Sequence, residues 1–529
     1  MILGKRRALI WASVFCLAAP VGGGARAAEV YPGCAVPPTT FNHVWYVDPV
    51  NGKTVSAGGL GTQAAPWNSL QAVFSPSSGY KYPLLTTAPY VRDPTTGLFS
   101  PGPGAGPIQP GDEILLMSGN YGDIGIGSQY GGANNSPAFV TIAAAPGQVP
   151  VLTLLYIMSS SGFVFSGLKV QSLGAGRVPL VSIYSAGPAH PTSNIILHNL
   201  NVSSADPSVY ATWTQAQWVA NARVGVSAKG SDNTTCVAVV DSHITANHFG
   251  LEVFANNMLV SGNEIDRFGD DGIDYGASNI LMTKNYIHES MDWKNGAHMD
   301  GMQGYPGAFT NVVIDSNRVI RQADPNLPFP YYLQGIDAFD GDWTNLTVTN
   351  NVVVTSACWG IFFSSVHNGK IINNTVVADG LVPQPGNCKP PVTVGDKTHQ
   401  GSSSNDVIIR NNIASGLAIY NLDPNMTMDH NICLTIEGRC TILTYVGGKP
   451  KWGVSKPGEY ADHNIIERKG AAGMFVSFDP AKFVYDLRLR PGALAIGAGN
   501  SADAPPIDIA GAPRGRRVDV GAYEYGPEK

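Results

Sequence analysis

Four short segments of this chain each carry an acid in what reads as the same slot of a repeated strand. They are Gly250-Leu251-Glu252-Val253, Gly272-Ile273-Asp274-Tyr275, His298-Met299-Asp300-Gly301 and Gly335-Ile336-Asp337-Ala338. Side chains alternate faces along a strand, so with Leu251, Ile273, Met299 and Ile336 in the core, Glu252, Asp274, Asp300 and Asp337 share an outward column, about 4.8 Å apart on consecutive rungs. Like charges at ~5 Å repel by roughly 0.8 kcal/mol in bulk water and by about 3 kcal/mol at an effective dielectric near 20. Such a column calls for a cation, a bound proton or a nearby base.

The residues around the column supply candidates for all three. Asp270-Asp271-Gly272-Ile273-Asp274 packs three acids into five residues. Hard oxygen donors at that density suit Ca2+, which makes Asp270, Asp271 and Asp274 candidate ligands. His298 occupies a slot that neighbouring rungs fill with glycine, two residues before Asp300, and imidazole titrates in the range useful to a base. Lys294 and Tyr305 are candidates to assist a leaving group. Two insertions, 291–295 and 324–332, fall beside the column, and their Trp293, Phe329, Tyr331 and Tyr332 can stack on sugar rings. Glu252, at the head of the column, is a candidate substrate contact.

These groups fit three reactions on a polysaccharide. In β-elimination a metal or acid neutralises a uronate carboxylate, a base takes the C5 proton, and a third group assists departure. In glycoside hydrolysis two carboxylates flank the bond, and rungs one or two apart match the retaining and inverting separations. In epimerisation the proton returns to the opposite face. A non-enzymatic adhesin is a fourth reading, although outward ladders there are expected to carry Asn, Ser and Thr.

The elements that must position these residues are legible as a repeat. β-Branched runs end in asparagine and resume at once, as in Val260-Ser261-Gly262-Asn263-Glu264-Ile265, Met282-Thr283-Lys284-Asn285-Tyr286-Ile287 and Ile371-Ile372-Asn373-Asn374-Thr375-Val376. A period near 22 residues, with insertions of about ten, is the mark of a solenoid with loops on one side. Asparagine suits its corners because it tolerates left-handed backbone angles and can bond to its copy on the next rung. Asn199 reads as an upstream member. Arg267, Glu289 and Arg321 fall in one register on another face and read as a structural charge ladder; Lys284 and His288 are remote from the acids.

The chain resembles the right-handed parallel β-helix proteins of the pectate-lyase-like superfamily. Trp45-Tyr46-Val47-Asp48-Pro49 with Pro66-Trp67, Pro110-Gly111-Asp112-Glu113-Ile114, and Val518-Asp519-Val520-Gly521-Ala522-Tyr523 are similar to their opening, first-rung and closing segments. The Asp270-Asp271-x-x-Asp274 run is similar to the calcium motif of one pectate lyase family, which implies those three as ligands. That family's strand lysine is absent here, since the following slots hold Asp300 and Asp337. His298-x-Asp300 loosely resembles the His/Asp arrangement of alginate epimerases and some lyases.

Composition sets the remaining bounds. Thirty-three basic against 39 acidic residues, net −6, imply no basic surface for nucleic acid. A basic start, Lys5-Arg6-Arg7, then an apolar run to Val21 and Ala25-Arg26-Ala27, read as a secretory signal, so export or a periplasmic location is expected. No later stretch is long and apolar enough for a membrane span. Six cysteines remain after the signal; an even number in an exported chain favours disulfides, with Cys433–Cys440 and then Cys358–Cys388 the simplest local pairs. The expected layout is a signal at 1–27, a cap and first rungs at 28–138, the β-helix core at 139–440, and last rungs with a closing module at 441–529. The expected product is a monomeric, exported enzyme cleaving an acidic polysaccharide, most readily by Ca2+-assisted β-elimination.

Overall fold

The structure is a computed structural model that describes residues 29–75, 83–85, 90–92, 99–101, 106–127, 139–172, 174, 176, 178–229, 233–293, 298–381, 391–395, 403–419, 425–436, 440–446, 449–452 and 463–526. The expected signal at 1–27, Lys294 and Cys388 lie outside the described residues.

Short strands of two to nine residues recur around three faces, pairing in parallel with their counterparts one rung before and one rung after. One face begins with Val44–Val47, Glu113–Leu116 and Val140–Ala144 and runs on through Met258–Ser261, Ile280–Thr283 and Val312–Asp315. A second contains Leu251–Val253, Ile273–Tyr275, Asp300–Gly304, Gln334–Ala338 and Ile361–Phe363. The third contains His243–Asn247, Glu264–Phe268, Tyr286–Ser290 and Arg318–Ile320. The interior is a single apolar column, for example Leu251, Ile273, Met302, Ile336 and Ile361, all fully buried. The coil is a parallel β-helix, as the repeat implies. Among the described residues no helix is long and apolar enough to cross a membrane.

A ladder of buried asparagines holds the rungs in register. Asn285 shows the pattern: its N–H and Nδ2 both donate to Asn317 Oδ1 on the next rung (3.0 and 2.9 Å), and Nδ2 also donates to Val260 O (3.0 Å). Its own Oδ1 accepts from the N–H and Nδ2 of Asn263 (3.1 and 3.0 Å). The series continues through Asn351, Asn374, Asn412, Asn431 and Asn464. An amide can donate and accept at once, so one side chain satisfies backbone groups on both neighbours.

The left-handed corner is not the asparagine itself but the residue before it. Lys284, Ser316, Asn350, Asn373, Asn411 and His430 all have φ between 52° and 58°. Asn199 belongs to this corner column (φ 52°) and not to the ladder; the ladder slot of its rung is Leu200, whose N–H donates to Ser242 Oγ (3.0 Å).

The chain after residue 470 covers the outward side of the third face. Met474, Phe475, Leu487, Leu489, Val520 and Ala522 pack on Ile320, Val352, Val354, Val377, Ile413 and Ile432. Asn373 Nδ2 donates to Asp519 O and Gly521 O (2.9 and 3.0 Å), which fastens the module to the corner column. Among the described residues disulfides join Cys433 to Cys440 and Cys34 to Cys236, the latter tying the start of the described chain to a rung 202 residues away. Cys358 is also disulfide-bonded.

Replacing Asn317 by alanine strips two donors of Asn285 of their acceptor. At roughly 1–3 kcal/mol for each buried unsatisfied group, the loss is on the order of 3 kcal/mol in urea unfolding. Asn345, in an exposed ladder and itself at φ 56°, is the control: Asn345→Gly is expected to cost under about 1 kcal/mol.

Candidate active site

The acids come together by a different register from the one read in the sequence. Glu252 pairs with Asp274, Asp274 with Gln303, and Gln303 with Asp337. Gln303, not Asp300, is therefore the third member of the outward column, and Met302, not Met299, fills the core slot. The glycines that align are Gly250, Gly272, Gly301, Gly335 and Gly360. A Cβ at Gly335 would sit 1.9 Å from Gly360 O, so the column admits no side chain there. His298 thus precedes the glycine column and does not occupy it.

Asp300 lies three residues ahead of Gln303, beside Asp271: its N–H donates to Asp271 Oδ1 (2.8 Å). Its carboxyl still reaches the column. Asp300 Oδ2 meets His298 Nδ1 at 2.6 Å, while the Asp300 carboxyl also faces that of Asp337. Neither oxygen of Asp337 accepts an N–H or hydroxyl hydrogen bond, so it can bond to Asp300 only if one of the two carries a proton. Asp271 and Asp274 form a second such facing pair.

Burial is what makes the cluster unusual. Asp271, Asp274, Asp300 and Asp337 are each at most 2% exposed, although they point away from the solenoid core. Burial pushes the Asp271 carboxyl well above its ordinary value, and the charges of Asp300, Asp274 and Asp270 push in the same direction. Burial, joined by the charge of Glu252, raises Asp274 to about 8. Burial and then Asp300 raise Asp337. Asp271 and Asp274, raised together and facing one another, can share a proton.

Above this floor opens a cleft of about 320 Å³ lined by Asp270, Asp271, His298, Gln303, Tyr305 and Phe339 among others. The His298 side chain is 48% exposed, so the imidazole presents itself to the cleft while Asp300 holds its inner nitrogen. The hydrogen bond that His298 donates to Asp300 raises the imidazole pKa against the opposing effect of burial. Tyr305 is 37% exposed and keeps its proton, because burial and the charges of Asp274 and Asp271 raise its phenol.

The expected aromatic walls divide. Trp293 is buried, stacked on His248 with centroids 4.3 Å apart, and is a packing residue where a sugar platform was expected. Tyr331 and Tyr332 are half-buried neighbours at 4.5 Å, and Tyr332 lies close enough to feel the charges of Asp300, Asp270 and Asp271. The two insertions pair with each other, through Asp292 N–H to Phe329 O (2.8 Å) and Tyr331 N–H to Ser290 O (3.1 Å).

Residues that the sequence reading missed are Gln303, His248, which bonds Asp270 Oδ2 at 3.1 Å, and Lys229, which meets Glu252 Oε1 at 2.5 Å. Aligning rungs on the Gly-apolar pair would have found Gln303. Lys229 carries no such signal, because it lies just past its strand. The charge ladder of Arg267, Glu289 and Arg321 is a network with other partners: Arg267 with Asp266 and Asp324, Arg321 with Asp379, and Glu289 with the N–H groups of Ala323 and Asp324.

Glu252 Oε2, Asp274 Oδ1 and Asp300 Oδ1 are buried without hydrogen-bond partners, and by donor chemistry such oxygens fit a hard divalent cation. Among the described residues no three His, Cys, Asp or Glu side chains converge at the spacing of a metal cage; Asp270 is bonded to His248.

One family model agrees with the architecture. The family described as "Right handed beta helix region" matches residues 190–389. Similar solved structures include pectate lyase Pel9A (15% identity, 92% of this chain and 97% of that one, TM-score 0.43). A rhamnogalacturonan lyase (11% identity, 85% and 94%, TM-score 0.37) and the surface adhesin PfbA of Streptococcus pneumoniae (9% identity, 68% and 88%, TM-score 0.35) are also similar. No curated protein matches by sequence. The chain is a right-handed parallel β-helix.

A carboxyl whose pKa is raised on folding holds its proton in the native state while the unfolded chain has lost it. Asp274 therefore contributes a loss of stability as pH rises from about 4, the ordinary carboxylate value, to about 8. Comparing thermal midpoints of wild type and Asp274→Asn across pH 4 to 9 should show the variant gaining relative stability over that window.

Proposed function

We propose that this protein is an exported carbohydrate-active enzyme that cleaves an acidic polysaccharide by β-elimination. The observation that carries the reading is the His298–Asp300 pair: an imidazole opening on a cleft, fixed from behind by a buried carboxylate at 2.6 Å. The disulfides support export.

With Nδ1 held by Asp300, His298 is left with Nε2 to take the C5 proton of a uronate, and Asp300 stabilises the imidazolium that results. The C5–H bond breaks, a C4=C5 double bond forms and the C4–O bond is lost. Tyr305, which retains its phenolic proton, delivers it to the departing oxygen. Asp271 and Asp274, in the states that carry protons, donate hydrogen bonds to the substrate carboxylate, as a neutral carboxylic acid can in an apolar setting. Calcium would need Asp270, Asp271 and Asp274 to draw together, since they do not converge as they stand; held there, it would supply positive charge that neutralises the same carboxylate. Gln303 and Tyr332 border the acids and orient the ring.

Hydrolysis is the second reading, favoured by the burial that raises Asp274 to about 8, since a general acid must hold its proton near neutral pH. A panel of polyuronides and neutral polysaccharides, followed for both ultraviolet absorbance of unsaturated ends and reducing ends, separates the two. Elimination yields both signals, hydrolysis only the second.

His298→Ala is expected to lower kcat/KM by about 10²-fold or more. Because Asp300 raises the imidazole pKa, the rate should climb with pH as His298 loses its proton, and in Asp300→Asn that climb should begin at lower pH. A chelator should depress activity on polyuronide and added Ca2+ restore it, with the response to Ca2+ lost in Asp271→Asn.

A further inference from the structure

Beside the acid column runs a second outward column on the same face. Backbone bonds continue the ladder past the strand ends: Lys229 N–H to Ile183 O, Phe254 N–H to Ala228 O, Gly276 N–H to Val253 O and Tyr305 N–H to Tyr275 O, at 2.8 to 3.0 Å. Tyr184, Lys229, Phe254, Gly276 and Tyr305 therefore stand on successive rungs. Gly276 leaves room for Phe254 and Tyr305 to meet edge to face at 5.2 Å. At the upstream end Tyr184 packs edge to face on Tyr156 (5.1 Å), which is 44% exposed and continues the acid column, where Ser227 and Ser182 separate it from Glu252.

Lys229 is the cation of this track. Its side chain is 56% exposed, its Nζ sits 2.5 Å from Glu252 Oε1, and it lies 5.8 Å from the centre of the Phe254 ring. An ammonium has three N–H donors, so the contact with Glu252 leaves others for a ligand. The buried acids repel an approaching polyanion, and Lys229 stands two rungs, about 10 Å, upstream of the Asp274 rung.

We propose that Lys229, with Tyr184 and Tyr156, forms an upstream subsite that binds the carboxylate of a uronate unit outside the reacting one, and so selects acidic over neutral chains. This deepens the reading above and rests on it for the substrate class. The ammonium takes the carboxylate while the tyrosine pair supports the ring.

The test is binding by full-length protein in the His298→Ala background, with chelator present, measured by affinity electrophoresis in polygalacturonate and in its carboxyl-reduced form. Lys229→Gln is expected to weaken retention by polygalacturonate about 5-fold, the upper range for one exposed ion pair, and to leave the reduced polymer unaffected. Lys229→Arg should restore it, and Tyr184→Ala should weaken both polymers. Unaltered affinity in Lys229→Gln, equal loss on both polymers, or no binding of polygalacturonate to begin with would each overturn the subsite. A failure of wild type to make unsaturated ends would instead remove the elimination reading while leaving the binding result standing.

Discussion

Rung-to-rung hydrogen bonding is the constraint on which everything else rests. A parallel strand three residues long has too few backbone bonds to choose its own register, and a slip of one residue turns every side chain to the opposite face. The buried asparagines remove that freedom. Each amide is tied to the rung on either side, so the strands that follow start at a defined height and phase. Insertions of ten residues can then be accommodated between rungs without disturbing the columns.

That rigidity permits an arrangement which would not otherwise persist. Carboxyls of Asp271, Asp274, Asp300 and Asp337 are buried together with few hydrogen-bond donors to share. Spread over a flexible loop they would separate; fixed to adjacent strands they must share protons or a cation. The exposed groups, His298 and Tyr305, lie over this floor and feel the charge and protons that the acids hold. The strain is local, while the asparagine ladder and the module over the third face stabilise the coil elsewhere.

The asparagine runs made the solenoid readable, because hydrogen-bonding corners repeat in type as well as in spacing. The site was readable only in part. Asp274 and Asp337 fall where strand alternation puts them, but the rung 298–304 was aligned three residues early, on His298-Met299-Asp300 in place of Gly301-Met302-Gln303. Both stretches offer an apolar residue followed by a polar one, and the insertion before them removes the period as a guide. Asp300 nevertheless joined the cluster, since a residue three positions upstream of the column lies beside Asp271 on the preceding rung. Trp293 misled for another reason: an aromatic in a loop has no partner in sequence, and here His248 supplies one.

By itself, then, the sequence determined a parallel coil, its asparagine-lined corner and the face on which the acids gather, because these follow from periodicity and from what each residue type can bond. Tertiary structure decided which acids touch, that they are covered, that His298 alone of the pair with Asp300 meets solvent, and that Lys229 leans on Glu252. Those are properties of side chains brought together from different rungs, whose burial and mutual charge depend on packing that no local pattern encodes.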